Sequence, residues 1–169
     1  MDKTIFDQLT EEHEKIKSLI QRARSCSMND RPILIKNLEE ELIPHARAEE
    51  VTLYAVLLEC AKEEGDPDGI EITNESYAEH KEIDEILNKM KVCDPEDDRW
   101  EALLNVMQEE IEHHLREEES LLFKSAQSIL TEEEQEDIFE YYLKAKEKFK
   151  KALPMQRQIP ERRPMQELR

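Results

Sequence analysis

Glycine is nearly missing from this chain, with two in 169 residues, and aromatic residues make up only 5%. So little of either argues against a sheet-rich fold and for long amphipathic helices, as does a charged fraction of 39%. Basic residues are outnumbered 42 to 24 by acidic ones, and the net charge of −18 excludes nucleic acid and acidic membrane surfaces as general partners. No Cys-x-x-C links the three thiols, Cys26, Cys60 and Cys93. An odd, scattered set of this kind fits small packed side chains in a reducing compartment, so a cytoplasmic setting is expected. Met1 to Phe6 hold no apolar run that could serve as a leader or cross a bilayer. Nothing between the histidines reads as a phosphate loop, an activated nucleophile or a substrate pocket.

What the chain does contain is helical periodicity. Its length suits one domain with a real core. A first helix is expected over about 4–24, capped by Thr4 with Asp7 or by Thr10, with Phe6, Leu9, His13, Ile16 and Ile20 on one stripe. A second opens after Asp30 and runs to about 64, with Leu34, Leu38, Leu42, His45, Glu49, Thr52 and Val56 inward. Pro44 interrupts it just before His45; the resulting bend either aims that side chain or is absorbed by neighbours. The third helix spans about 74–91, with Tyr77, His80, Ile83, Leu87 and Met90 inward. A fourth runs from about 95 to 129, with Leu104, Met107, Ile111, His114, Glu118, Leu122 and Ser125 inward. Thr131 with Glu134 forms a capping box for an extra helix over about 132–152. The expected organisation is a helical domain over 1–153 and a flexible basic tail over 154–169, punctuated by Pro154, Pro160 and Pro164.

The chain also repeats itself. His45-Ala46-Arg47-Ala48-Glu49-Glu50 is echoed by His114-Leu115-Arg116-Glu117-Glu118-Glu119, and an aromatic follows nine residues after each His, at Tyr54 and Phe123. Glu12-His13 is likewise echoed by Glu79-His80. The offset is 67 residues at the lone histidines and 69 at the His-x-x-x-Glu pairs. Two helical hairpins related this way make an all-α, up-down-up-down four-helix bundle, with the fifth helix outside or capping one end. His13 lies roughly 18 Å from the end of its helix and His45 roughly 21 Å from the start of the next, so an antiparallel pair brings them level. The second hairpin agrees if its last helix begins nearer Arg99.

Four of five histidines thus fall on the apolar stripes of four helices, joined by two glutamates. Buried carboxylates need compensation worth several kcal/mol. These stripes hold no Lys or Arg, so a multivalent cation bound by His13, His45, Glu49, His80, His114 and Glu118 is the expected solution. His113 is the internal control: its face is polar, so it and Glu117 should be solvated. Glu50 and Glu119 sit about 100° round from their neighbours, at the surface or as outer partners. Imidazole suits iron, zinc and copper, while shared carboxylates suit a pair of harder ions. Two such ions would keep room for a bridging oxygen species and an open position for a small molecule. A structural zinc site would instead close its coordination, usually with Cys.

The order His13, His45-x-x-x-Glu49, His80, His114-x-x-x-Glu118, with the run Leu42-Ile43-Pro44-His45-Ala46-Arg47-Ala48-Glu49-Glu50, resembles the hemerythrin-like, HHE cation-binding family over about residues 3–127. The resemblance implies a centre of two non-haem iron ions, oxygen-bridged, with Glu49 and Glu118 spanning both. Oxygen-carrying hemerythrins place a further ligand His one turn after the third-helix His, where this chain has Asp84. The four-His, two-Glu set is more similar to di-iron proteins that repair iron centres under oxidative or nitrosative stress. Those usually carry an additional cysteine-containing N-terminal domain, which this sequence does not show. Asp84 or Tyr77 could complete a coordination sphere, though rim and core roles are simpler. Three functions follow as expectations: a protein that binds or senses dioxygen, nitric oxide, peroxide or iron; an enzyme acting on peroxide, nitric oxide or damaged iron centres; and a zinc-loaded interaction module. Binding stands slightly ahead, because no electron-donor domain is in view, and whether the chain turns over a substrate is left open.

Overall fold

The computed structural model describes residues 3–156, with side chains to residue 153. Seven α-helices follow one another among the described residues: α1 (Ile5–Ser25), α2 (Arg31–Val51), α3 (Leu53–Glu64), α4 (Pro67–Val92), α5 (Arg99–Glu117), α6 (Phe123–Ile129) and α7 (Glu132–Gln156). They make four arms of a bundle plus one extra helix. α1 and α4 are single arms, α2 continues as α3, and α5 continues through a π-helical turn, Glu118–Leu122, into α6. α1 packs on α2 and α5, α4 packs on α2, α3 and α5, and α7 lies along α2 and against α1. No strand occurs among the described residues.

Local chemistry sets the ends. Thr4 Oγ1 accepts from the Asp7 amide at 3.1 Å while Asp7 accepts from the Thr4 amide at 2.9 Å, a capping box that starts α1. Thr131 and Glu134 repeat the device before α7. The start of α4 departs from the sequence reading, which placed it near Asn74. Only Gly65 and Asp66 connect α3 to α4. Gly65 ends α3 at φ 68°, in the left-handed region that glycine tolerates. Asp66 then caps α4 by accepting from the Asp68 amide at 3.2 Å, and Pro67 takes the first helical position. A Cβ on Gly69, inside this first turn, would stand 2.6 Å from Asp66 Oδ2 and push on the capping side chain. The fourth arm starts at Arg99, the later start that the depth comparison requires.

Long arms are not continuous helices, and both irregularities follow the repeated His-x-x-x-Glu pair. In the second arm the break falls at Thr52, not at Pro44, which is buried inside α2. Thr52 Oγ1 bonds the Ala48 carbonyl at 2.6 Å, and its amide turns to Glu49 O at 3.1 Å. A side chain that competes for the i−4 carbonyl in this way loosens the helix. In the fourth arm the π turn opens on Glu118 itself. At the C-terminus α7 continues to Gln156, past the stop expected at Pro154. Proline there removes a single bond, to the Lys150 carbonyl, in the final turns. The remainder of the tail expected over 154–169 lies outside the described residues.

Two apolar clusters fill the bundle. One holds Ile16, Ile20, Leu38, Leu87, Trp100, Leu104, Met107 and Ile111 among others. The other holds Ile5, Leu9, Leu53, Tyr54, Leu57, Leu122, Phe123 and Tyr142, and so includes α7. On every arm the chain passes from one cluster to the other across a candidate ligand: Leu9–His13–Ile16, Leu42–His45–Ala48, and Ile111–His114 through Glu118 to Leu122. On α4, His80 lies between Tyr77 and Ile83. A polar layer therefore divides the core. Cys26, Cys60 and Cys93 are free thiols, each half-buried.

Leu104 is fully enclosed in the first cluster. Leu104→Ala should lower unfolding stability in urea by about 2–5 kcal/mol, whereas Val92→Ala, at an exposed position, should stay within about 0.5 kcal/mol.

Candidate metal centre

All six candidate residues meet in that dividing layer. His13 comes from α1, His45 and Glu49 from α2, His80 from α4, His114 from α5, and Glu118 from the first position of the π turn. None is more than 3% exposed. One ligand atom from each of His13, His45, Glu49 and Glu118 falls within 4.8 Å of the others, as do those of Glu49, His80 and His114. Glu49 belongs to both groups, with Oε1 3.2 Å from His45 Nε2 and Oε2 3.6 Å from His80 Nε2. Glu118 also reaches both, with Oε2 3.2 Å from His13 Nε2 and 3.9 Å from His114 Nε2. Two carboxylates thus stand between two histidine pairs, whose ring centroids are 5.1 Å apart for His13–His45 and 4.6 Å for His80–His114.

A second set of carboxylates holds the imidazoles from outside. The Nδ1 of His13 lies 2.7 Å from Glu119, that of His45 2.8 Å from Glu12, that of His80 3.1 Å from Glu50, and that of His114 2.8 Å from Glu79. A carboxylate there accepts Nδ1–H, so each ring, when neutral, presents a bare Nε2 lone pair inward. The consequence is plainest between His80 and His114, whose Nε2 atoms face each other at 3.0 Å. Two lone pairs at that distance repel unless a proton or a cation lies between them. His13 Nε2, His45 Nε2, both Glu49 oxygens and Glu118 Oε2 are buried with no hydrogen-bond partner. Orphaned buried acceptors of this number are costly. Imidazole nitrogens and carboxylate oxygens converging without donors fit metal cations.

Electrostatics in the cation-free chain point the same way. Burial, reinforced by the charge on Glu118, raises the Glu49 carboxyl well above the usual range. For Glu118 burial pushes in the same direction, but His13, then His114 and His45, outweigh it and hold this carboxyl low. His45 is lowered to about 4 by burial, and His80 is lowered by the same cause. Burial also opposes charge on His13, yet Glu118 and Glu119 at its two nitrogens prevail and raise it to about 9. A proton therefore settles on His13 where a cation would otherwise neutralise the layer, and binding a cation would release it.

The repeat also places two aromatic rings. Tyr54 stacks on His80 at 5.3 Å and Phe123 on His13 at 5.9 Å. Tyr54 adds what Phe123 cannot, a hydroxyl donating to Glu118 Oε1 at 3.0 Å and 3.4 Å from His80 Nε2. Asp84 and Tyr77 do not enter the layer. Asp84 pairs with Arg47, which also pairs with Glu50, and Tyr77 donates to the Glu50 carbonyl at 2.7 Å, so both brace the residue that holds His80. His113 is exposed, 3.4 Å from both Glu79 and Glu117. Glu50 and Glu119 act as outer partners. Glu12 and Glu79 were not singled out from sequence, although the Glu-His echo at 12–13 and 79–80 was the available signal. Tyr54 was visible as an echoed aromatic, but its hydroxyl contact was not.

Replacing Glu49 separates the two states of this layer. Glu49→Gln should raise the urea stability of chelator-treated protein by roughly 1–3 kcal/mol, because its amide can donate to the facing lone pairs. A carboxyl whose native pKa is raised loses stability as pH climbs above the ordinary carboxylate range, so the advantage of Gln should grow with pH. The same substitution should reduce cation capacity, read by metal analysis.

Comparison with known proteins agrees with the geometry. The hemerythrin HHE cation binding domain matches residues 4–126. Among solved structures, the chain is similar to a hemerythrin HHE cation binding domain-containing protein from Mycobacterium kansasii, at TM-score 0.78 and 21% identity over 95% of this chain and 96% of that one. Likeness at this identity speaks for the fold. No curated protein matches the chain. No helix among the described residues is long and apolar enough to cross a membrane. With a family match spanning both hairpins and a buried His/Glu layer at their junction, the chain belongs to the hemerythrin HHE cation-binding family.

Proposed function

We propose that this chain holds two non-haem iron ions, one served by His13 and His45 and the other by His80 and His114, with Glu49 and Glu118 shared between them. The single observation that carries the reading is the set of inward-facing acceptors left without donors. Iron in such a site supplies reversible binding of small oxidants and diatomic molecules. The chain's own residues do the rest: outer glutamates fix each imidazole, and the two apolar clusters exclude bulk water. Because the six side chains are almost wholly enclosed, the ligand in this reading is small: dioxygen, nitric oxide or peroxide. A reducing cytoplasm is the setting we propose, on the strength of three unpaired thiols.

Anaerobic reconstitution should load about two iron ions per chain, and admitting air should produce a new absorption that deoxygenation reverses. Zinc retained in preference to iron, or an unchanged spectrum, would count against the reading. His45→Ala and Glu118→Ala should lose most of the metal and loosen the bundle, while His113→Ala keeps it. Equal loss in all three would refute the facing assignment.

Tyr54 favours a second reading, dismutation of hydrogen peroxide, in which two peroxides give two waters and one dioxygen and no outside reductant is consumed. Its hydroxyl is a proton donor inside the layer, beside Glu118 and His80. Under that reading the protein removes many equivalents of peroxide, and Tyr54→Phe slows removal while leaving iron content intact. A single stoichiometric, reversible change would favour binding alone.

A further inference from the structure

Each outer glutamate has a base of its own. Glu119 has Lys17 at 3.6 Å, Glu50 has Arg47, Glu79 has His113 at 3.4 Å, and Glu12 has Lys146. Lys17, Arg47 and His113 sit on ligand-bearing helices α1, α2 and α5. Lys146 alone comes from α7, which begins beyond the region matched by the family domain.

Glu12 differs from the other three in a further way. The Tyr142 ring from α7 is fully buried, its hydroxyl donates to Glu12 Oε2 and lies 3.0 Å from His45 Nδ1, and the ring stands 6.4 Å from that imidazole. Gln8 donates to the other Glu12 oxygen. Packing alone would be served as well by phenylalanine, which brings no hydroxyl to satisfy. Here the hydroxyl is spent on the carboxylate that orients His45. Lys146 Nζ lies 2.5 Å from the same Glu12 oxygen, a salt bridge to a carboxylate only 7% exposed.

We propose that α7 is a working part of the metal centre: Tyr142 and Lys146 hold Glu12 against His45 Nδ1, so the metal position served by His13 and His45 depends on the C-terminal helix. Both are positioning residues that act through Glu12. The inference rests on the two-ion reading above. It makes the centre asymmetric, because the position at His80 and His114 is braced without α7.

Ferrous ion titrated anaerobically into the full-length protein, against a competing chelator, tests this. Wild type should take up two equivalents. In Tyr142→Phe and in Lys146→Met one equivalent should weaken about tenfold or more, the range seen when outer partners of ligand histidines are lost, while the other is unchanged. Lys146→Arg should restore it. Lys144→Met, which removes an exposed lysine paired with Glu140 on the same helix, should bind as wild type does. Metal-free Tyr142→Phe should keep the helicity and melting temperature of wild type. The proposal is overturned if both variants bind two equivalents at wild-type affinity, or if both equivalents weaken together with the metal-free melting temperature. A wild type that binds no ferrous ion defeats the functional reading itself; a wild type with two equivalents matched by its variants defeats only the role of α7.

Discussion

Charge compensation in a dry layer is the constraint from which the rest of this structure follows. Four imidazoles and two carboxylates sit between two apolar clusters, each no more than 3% exposed. Their outward nitrogens are satisfied by glutamates, while His13 Nε2, His45 Nε2, both Glu49 oxygens and Glu118 Oε2 are not. Unpaired carboxylates in such a place are tolerated only when something positive joins them. In the cation-free chain a proton on His13 is the nearest substitute. A cation bound among these His and Glu side chains would neutralise the same layer.

The internal repeat gives that layer its symmetry. The glutamate before each lone histidine holds the paired histidine of its own hairpin: Glu12 holds His45, and Glu79 holds His114. The glutamate after each shared carboxylate holds the lone histidine of the opposite hairpin: Glu50 holds His80, and Glu119 holds His13. Each hairpin therefore orients one of its own two histidines and one of its neighbour's. Helical irregularity follows at the equivalent place in both, as a break at Thr52 and a π turn from Glu118. The halves differ at Tyr54 against Phe123, and at the outer glutamates, where Glu12 meets Tyr142 and Lys146 of α7 while the equivalent Glu79 meets His113 of α5. Those departures are where the two halves of the centre can acquire different properties.

Stability and site are separable in this arrangement. The apolar clusters on either side of the layer hold the arms together through contacts such as Leu104, Met107 and Trp100, far along the helices from the glutamates. Arg31 lies over the Trp100 ring at 4.0 Å, at the end of the bundle near Pro95. Burying unpaired carboxylates costs free energy, and these apolar contacts hold the layer in place against that cost.

The helical class, the two hairpins and the facing of His13, His45, Glu49, His80, His114 and Glu118 are legible in residue order alone, because a 3.6-residue period records which side of a helix is buried. The same period separated His114 from His113 and marked Glu50 and Glu119 as lying off the inward face. It misplaced the start of α4, since Gly65 to Gly69 reads as one long connection until Asp66 is seen capping and Pro67 opening the helix. Nor could it reveal that Glu12 reaches His45 or that Tyr142 reaches Glu12, partners 33 and 130 residues apart. Periodicity describes one helix at a time. Which outer carboxylate orients which imidazole, and that a fifth helix contributes to the centre, depend on how separate helices are set against one another, and only the tertiary structure decides that.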